Sequence, residues 1–437
     1  INMSKIIPVA LFFLSFFASL VSNAILRKFA NDNKVLLDKP DDRKKFHPNP
    51  TPLTGGLGIT IGVIFSSIFL VLLSQSSENI NTNINLNLVP AAIEENSIFH
   101  EIELENGSKV IIQKYNNESY TIQLPTGELL LYETSSEVQR DQGQNFQIIK
   151  QNSVESEIGL NQFSLQLLLF TLLVQIIMII DDLRTISPLK KIVLQSACVL
   201  GLALSTDVYL VSIGNIFGFG EIQLGIFAIP FTIFCIVGMM NAFNMIDGLN
   251  GLCASFCLIC FVSMIYMINT NNLPSLFPLI LPVGALSGFL MYNLGFLGER
   301  RTVFLGDNGS NALGFMCAWI LVYFSNFDGS NLLPVTALWL VAIPLMDALR
   351  VIITRIIKLK RIYLDDREHI HHQMIDNGYS YVQTYSFLII SSGFFALIGL
   401  AFNKYFFEYG FYSFYTFLGI FTCYYWFSSI LLKSKNV

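Results

Sequence analysis

The chain is short of charge. Asp, Glu, Lys and Arg make up 13% of its 437 residues, against about 25% in ordinary soluble proteins, while 53% are apolar. So few charges cannot coat a soluble globule of this size, which argues against a single soluble domain. The low-hydropathy, high-charge signature of disorder is also missing from most of the sequence. No positive excess exists: the formal net charge of -5 leaves no basic footprint for nucleic acid. Cysteines with polar-loop partners are lacking too. Cys198, Cys235, Cys253, Cys257, Cys260, Cys317 and Cys423 all lie inside apolar runs, so neither a disulfide framework nor a zinc site is expected. Walker A, a Gly-rich dinucleotide fingerprint and a Ser–His pairing motif are likewise absent.

What the sequence has is long apolar runs. A hydrocarbon core takes about 20 such residues per helix. Runs of this kind fall at 6–26, 55–73, 163–180, 191–211, 224–242, 249–268, 276–294, 310–325, 332–355, 382–402 and 411–432. The expected fold is an all-α polytopic membrane protein with about eleven transmembrane helices. Ile6 to Leu26 lacks a small-residue cleavage site and precedes many further spans, so it reads as a retained first helix. If the loop after that run is cytoplasmic, 20 of the 26 Lys and Arg fall on the cytoplasmic side. The bias sets the N-terminus exoplasmic and the C-terminus cytoplasmic. His47, His369, His371 and His372 share the cytoplasmic side, and His100 lies opposite.

Residues 75–162 break the pattern: they are polar and rich in Asn, Glu, Gln and Ser. Within them Ile98 to Glu133 alternates apolar and polar residues, with turn signals at Asn106-Gly107, Asn116-Asn117 and Pro125-Thr126-Gly127. This predicts a small exoplasmic β-meander between linkers. The chain therefore divides into 1–74, with two spans and a basic loop, the insertion 75–162, and 163–437 with the remaining spans.

Polar side chains survive in the membrane part as five clusters at cytoplasmic span ends. Asp181-Asp182 closes the third run, where paired carboxylates need solvent, a partner or a cation. Arg184 and Lys190 are the nearby partners that a merely hydrated helix end would use. Asn241, Asn244 and Asp247, three apart, share one helical face beside Gly248, Asn250 and Gly251, where an interhelical hydrogen-bond cluster is the plainer alternative. Phe304-Leu-Gly-Asp307-Asn-Gly-Ser310 precedes the eighth run, with Ser310 as a candidate helix cap and Asp307 as a candidate hard-cation ligand. His369-Ile-His371-His372 follows Arg367 and suits either a metal or, as imidazolium, a phosphate. Arg43, Lys44, Lys45 and His47 precede Pro50, Pro52, Gly55 and Gly56. Carboxylates, carboxamides and glycines on one membrane face, with cations nearby, suit Mg²⁺ and a diphosphate. Asp347 is a further acidic candidate beside that site.

At this point the sequence resembles the polyprenyl-phosphate N-acetylhexosamine-1-phosphate transferases. The resemblance rests on five motifs in order: Lys45 to Gly56, Asp181-Asp182, Asn241 to Leu252, Phe304 to Ser310, and Asp366-Arg-Glu-His-Ile-His-His372. It implies that a polyprenyl phosphate attacks the β-phosphorus of a UDP-N-acetylhexosamine and releases UMP, with Mg²⁺ required and Mn²⁺ as an alternative. It places Asp181 as base or orienter of the lipid phosphate, with Asp182 beside it. Asp307 becomes a direct metal ligand, with Asp181 and Asp182 completing the set. Asp247 falls near nucleotide and diphosphate, and Phe304 on uracil. Arg367, His369, His371 and His372 meet the sugar-phosphate end, and His47, Lys190, Asn241 and Asn244 belong to the substrate site.

The final loop, Asp366 to Ser380, is similar to the branch that starts lipopolysaccharide O-antigen or related glycans from UDP-N-acetylglucosamine on undecaprenyl phosphate. The peptidoglycan branch, which transfers phospho-MurNAc-pentapeptide, is the alternative within the family. Many members carry Asp where this chain has Asn250, an amide that supplies no charge to a metal, so Asn250 is expected on the nucleotide. A non-catalytic lipid transporter is the rival from another class, but it would favour midplane polar residues and paired broken helices. The expected setting is the bacterial cytoplasmic membrane, with the site facing the cytoplasm and a homodimer among the expected assemblies.

Overall fold

A computed structural model describes residues 3–38, 50–78, 99–103, 109–116, 119–123, 129–133, 162–184, 186–267, 273–326, 332–361 and 367–434. The chain divides into two compact units, Ile1–Leu70 with Leu160–Val437, and Val71–Gly159.

The first unit is helical. In chain order it holds α1 (Met3–Asn33), the start of α2 (Gly55–Glu78), α3 (Gln162–Leu183), α4 (Pro188–Thr206), α5 (Ala228–Ile246), α6 (Leu252–Met267) and α7 (Leu273–Asn293). It continues with α8 (Gly306–Asn326), α9 (Pro334–Leu340), α10 (Ala342–Ile357), α11 (Ile370–Asp376), α12 (Tyr381–Tyr405) and α13 (Gly410–Ser434). Eight helices among the described residues are long and apolar enough to cross a membrane, or nine if α9 and α10 form one span. The expected runs at 249–268 and 310–325 do fold as helices. However, α6 has only 16 residues, and α8 opens on the polar turn Gly306–Ser310, which dilutes its apolar character. The run at 332–355 is not straight: α9 and α10 meet at 89°. Pro344, which has no N–H to give the preceding turn, sits just after that break.

α7 is the most deeply buried of the candidate spans among the described residues. Lipid offers no hydrophobic drive between helices, so close packing and hydrogen bonds must hold them. Both occur where α1 meets α7. Ser15 Oγ donates to the Leu281 carbonyl at 2.6 Å and Ser19 Oγ to that of Ala285 at 2.8 Å. A Cβ on Gly284 would stand 2.4 Å from the Phe12 carbonyl oxygen, so only glycine admits this approach. α8 is buried on nearly every side between α3, α5 and α6. Gly314 lets it close on α5, since a Cβ there would lie 2.8 Å from the Met240 Cα.

A short two-stranded pair fixes one end of this unit. β1 (Leu37–Asp38) and β2 (Thr51–Pro52) run antiparallel. From there the chain is stitched to the segment before α8. Phe304 N donates to the Pro52 carbonyl at 2.8 Å, and Gly55 N and Gly56 N donate to Phe304 and Leu305. Gly56 packs on Gly309, where a Cβ would fall 2.3 Å from the Gly309 Cα.

The second unit contains an antiparallel meander, β3 (Phe99–Glu103), β4 (Lys109–Asn116), β5 (Ser119–Gln123) and β6 (Leu129–Glu133), in spatial order 3-4-5-6. His100 pairs with Ile112, and Ile122 with both Ile112 and Leu130. The alternation over 98–133 predicts this sheet. Most of the predicted turn residues lie outside the described residues.

Candidate active site

Four helix ends meet beside the β1–β2 pair: the C-terminal end of α3, the N-terminal end of α4, the C-terminal end of α5 and the N-terminal end of α8. Each stops or starts there for a local reason. Pro188 occupies the first turn of α4, where its missing N–H costs nothing. α5 ends at Ile246, and Gly251 holds φ +79°, a conformation that glycine adopts without strain. Gly251 N donates to Asn293 Oδ1, whose amide donates to the Val303 carbonyl at 2.7 Å, so this turn is tied to the approach of α8.

Lys191 joins two of the carboxylates. Its ammonium lies 2.9 Å from Asp181 Oδ2 and 2.9 Å from Asp307 Oδ2. Asp181 Oδ1 also accepts from Ile186 N at 2.7 Å, which closes the α3–α4 turn. Asp181 and Lys191 are each 13% exposed, whereas the Asp307 side chain is 43% exposed. Asp182 Oδ2 accepts from Asn308 Nδ2 at 3.0 Å, and that amide also donates to the Leu53 carbonyl. Asn244 Nδ2 reaches Asp307 Oδ2 at 3.5 Å, and Ser310 Oγ donates to Asn244 Oδ1 at 2.8 Å. Asp307 lies in the first turn of α8, where the helix dipole favours a negative charge. Asp247 sits close enough to Asp307 to feel its charge. Burial chiefly, and that charge second, push its carboxyl well above the ordinary range.

Several sequence expectations change here. α8 begins at Gly306, so Ser310 is inside the helix and links α8 to α5 instead of capping it. Asp247 follows the last residue of α5 and so does not continue the helical face of Asn241 and Asn244. Asn241 bonds Gln195 Oε1 at 3.0 Å, and Gln195 in turn bonds Asn311 at 2.7 Å. This amide chain braces α4, α5 and α8 behind the carboxylates. Lys190 is exposed, and the neighbouring Lys191 reaches the carboxylates in its place. Phe304 contributes its backbone to the stitch with Pro52 and Gly55. Asn250 accepts from Tyr381 OH through its backbone carbonyl. His47 lies outside the described residues.

The histidines stand against the α5–α6 turn. A Cβ on Gly248 would fall 2.1 Å from His371 Nε2, so the glycine makes room for that ring. His371 is fully buried, and neither ring nitrogen has a hydrogen-bond partner. Burial first, and the neighbouring His372 second, lower its pKa well below the usual value. His372 is lowered to about 4 by burial and then by Arg367. Both rings are therefore neutral near pH 7, which argues against their acting as imidazolium phosphate ligands. Arg367 pairs with Asp376 at 2.8 Å across α11. Asp347 is not beside Asp307: it accepts from His369 Nδ1 at 2.7 Å and pairs with Arg350 at 2.9 Å.

Among the described residues no three His, Cys, Asp or Glu side chains converge as a metal-ligand set, so Asp181, Asp182 and Asp307 do not form a ready three-carboxylate cage. Mg²⁺ does not need one. It takes one or two carboxylates and completes its octahedron with water and substrate phosphates. Asp307, 43% exposed although its Oδ2 meets Lys191, with Asp182 beside it, fits that requirement, while Asp181 is engaged at both oxygens, by Lys191 and the Ile186 amide.

Sequence reasoning missed Lys191, Gln195 and Asn308. The signal for Lys191 was its place one turn after Pro188, which folds it back toward Asp181.

Residues 164–325 match the family described as Glycosyl transferase family 4. The chain is similar to undecaprenyl-phosphate alpha-N-acetylglucosaminyl 1-phosphate transferase of Escherichia coli K12, at 34% identity over 223 residues, 51% of this chain and 60% of that one. The protein of that name from Yersinia pestis is 32% identical over 222 residues, covering 51% of this chain and 61% of its own. The one from Haemophilus influenzae is 31% identical over 228 residues, 51% and 63% respectively. The chain thus spans about three-fifths of the length of these relatives. The matched residues 164–325 contain the α3, α4, α5 and α8 ends described above.

Proposed function

We propose that this protein transfers N-acetylglucosamine-1-phosphate from UDP-N-acetylglucosamine to undecaprenyl phosphate and so starts a lipid-linked surface glycan such as O-antigen. The observation that carries the reading is the meeting of Asp181, Asp182, Asp247 and Asp307 at one end of the bundle, with Lys191 bridging two of them. The names of the similar proteins support the substrate pair. The bias of Lys and Arg supports a cytoplasmic membrane with this end facing the cytoplasm and the N-terminus outside.

In the reaction an oxygen of the lipid phosphate attacks the β-phosphorus of the nucleotide sugar. The bond from that phosphorus to the oxygen bridging the α-phosphate breaks, and UMP leaves with the electron pair. A phosphate monoester is already largely ionised near pH 7, so the main demand is to offset charge, not to remove a proton. Mg²⁺, or Mn²⁺ in its place, would be held by Asp307 and Asp182 and would neutralise diphosphate charge. Lys191 holds Asp181 and Asp307 in fixed relation and keeps Asp181 from turning toward the open side. Asn244 and Ser310 hold the α5 and α8 ends together. His371 and His372, as neutral rings with a hydrogen-bonding edge, face the uncharged sugar better than a phosphate.

The test is release of UMP from UDP-N-acetylglucosamine in membranes supplied with undecaprenyl phosphate, run against other UDP-N-acetylhexosamines. The expected result is release that Asp307→Ala abolishes at unchanged expression. No UMP from any of these donors, with the protein folded, would sink the reading.

A further inference from the structure

The membrane part contains a second buried charged centre away from the carboxylate cluster. Asp347, on α10, is 1% exposed. Its Oδ1 accepts from Arg350 at 2.9 Å, from the Ile370 amide at 3.1 Å and from Tyr424 OH at 3.0 Å. Its Oδ2 accepts from His369 Nδ1 at 2.7 Å, a separation in the charge-assisted range. The carboxylate therefore has all the donors it can use, which is how a buried charge is tolerated. Arg350, equally buried, also donates to the Glu368 carbonyl. Lys360 and Arg355 pair with the Glu368 carboxylate at 2.7 Å and 3.6 Å. The last helix joins in: Ser428 Oγ donates to Gln373 Oε1 at 2.7 Å, and Asn377 Nδ2 donates to the Leu431 carbonyl at 3.0 Å.

These bonds all converge on one short element. α11 has seven residues and starts at the His369 position, so it is too short to hold its own geometry. Asp347 grips it twice, at the His369 ring and at its first amide, Ile370 N. With Nδ1 taken, Nε2 is the ring nitrogen that His369 has left for a ligand. The His369 and His371 rings lie 6.2 Å apart and nearly parallel, at 13°. His371 in turn meets Gly248 in the turn that carries Asp247. A chain of contacts therefore runs from Asp347 through His369 and His371 to the candidate active site.

We propose that Asp347 is a positioning residue for the nucleotide-sugar, acting through His369. It fixes which imidazole nitrogen faces the substrate and holds the start of α11 against the Asp247–Gly251 turn. This rests on the function proposed above. Arg350 and Tyr424 are the counter-charge and the strut that keep the carboxylate in place, so the loop that touches substrate is set by α10 and α13, which do not touch it.

The test is a double-mutant cycle on UMP release with Asp347→Asn, His369→Ala and the pair, together with Asp347→Glu and a thermal melt of each protein. The expected result is that Asp347→Asn raises KM for UDP-N-acetylglucosamine by about tenfold or more with a smaller change in kcat. In the His369→Ala background the same change should add little, because a residue that acts through another has nothing left to act on. Asp347→Glu should recover part of the lost affinity. Independent, multiplicative losses, or a wild-type KM in folded Asp347→Asn, would overturn the proposal while leaving the transferase reading intact. A silent wild type would overturn both.

Discussion

The Lys191 ammonium stands midway between two carboxylates that are far apart in sequence, 2.9 Å from Asp181 and 2.9 Å from Asp307. One cation thereby sets the distance between the end of α3 and the start of α8. Replacing Lys191 with Met leaves two acidic groups facing each other without it. UMP release should fall by about a hundredfold or more, the scale of losing one preorganised charge in an active site. Lys191→Arg, whose fork can reach both carboxylates, should retain part of the rate. Near-normal turnover of Lys191→Met would remove the bridge from the mechanism.

Gly56 and Gly309 touch backbone to backbone, with no room for a methyl between them. Gly56→Ala should cost about 1–3 kcal/mol, as overpacking of a close contact does. It should also shift the start of α8, and with it Asp307, so activity should fall further than stability. A melting curve in detergent read beside UMP release would separate the two effects. An unchanged melting temperature would show that the seam gives way without strain.

Burial, and after it the charge of Asp307, disfavour the ionised form of the Asp247 carboxyl. Its folded pKa is raised above the unfolded value, so the group works against folding once pH rises past the ordinary carboxylate range. Asp247→Asn should therefore raise the melting temperature near neutral pH while removing activity, the trade expected of an active-site acid. A lower melting temperature would mean that its charge is compensated within the fold.

His371 and His372 carry the opposite sign. Each has its folded pKa below the unfolded one, His372 at about 4. Between that value and about 6.5 the unfolded chain binds more protons, so the stability they allow is complete above about 6.5 and is lost as pH falls toward 4. Melting temperature should drop on acidification through this window, and His372→Gln should flatten the drop. An equally steep curve for that variant would place the acid sensitivity elsewhere.

Much of this was legible in the sequence because membrane helices must be apolar and their polar exceptions must be useful. Asp181, Asp182, Asp247 and Asp307 could be picked out one by one for that reason, and the alternation over 98–133 marked the meander. Partnership was harder to read. Lys190 and Lys191 are alike in the sequence, and only the turn at Ser187-Pro188 decides which one points inward. Asp347 looked like another acid for the phosphate end, since nothing in the sequence reveals that His369 and Tyr424 fold onto it. The Asn241 amide likewise read as part of the substrate site, because the sequence does not reveal that Gln195 bonds it and Asn311 in one chain. The bend between α9 and α10 was hidden because hydropathy measures apolarity and is blind to direction.

The seam between α1 and α7 has a consequence for biogenesis. Ser15 Oγ and its acceptor on Leu281 are 266 positions apart in the chain. α1 is therefore made long before α7 and must wait for it in the bilayer, holding a hydroxyl-lined stripe toward lipid. Pairing over such separations slows folding, because loop closure must precede the contacts that reward it. α1 and α2 are accordingly expected to dock late, and the carboxylate end, which needs α8 seated on the Gly55–Gly56 turn, to become competent only at that final step.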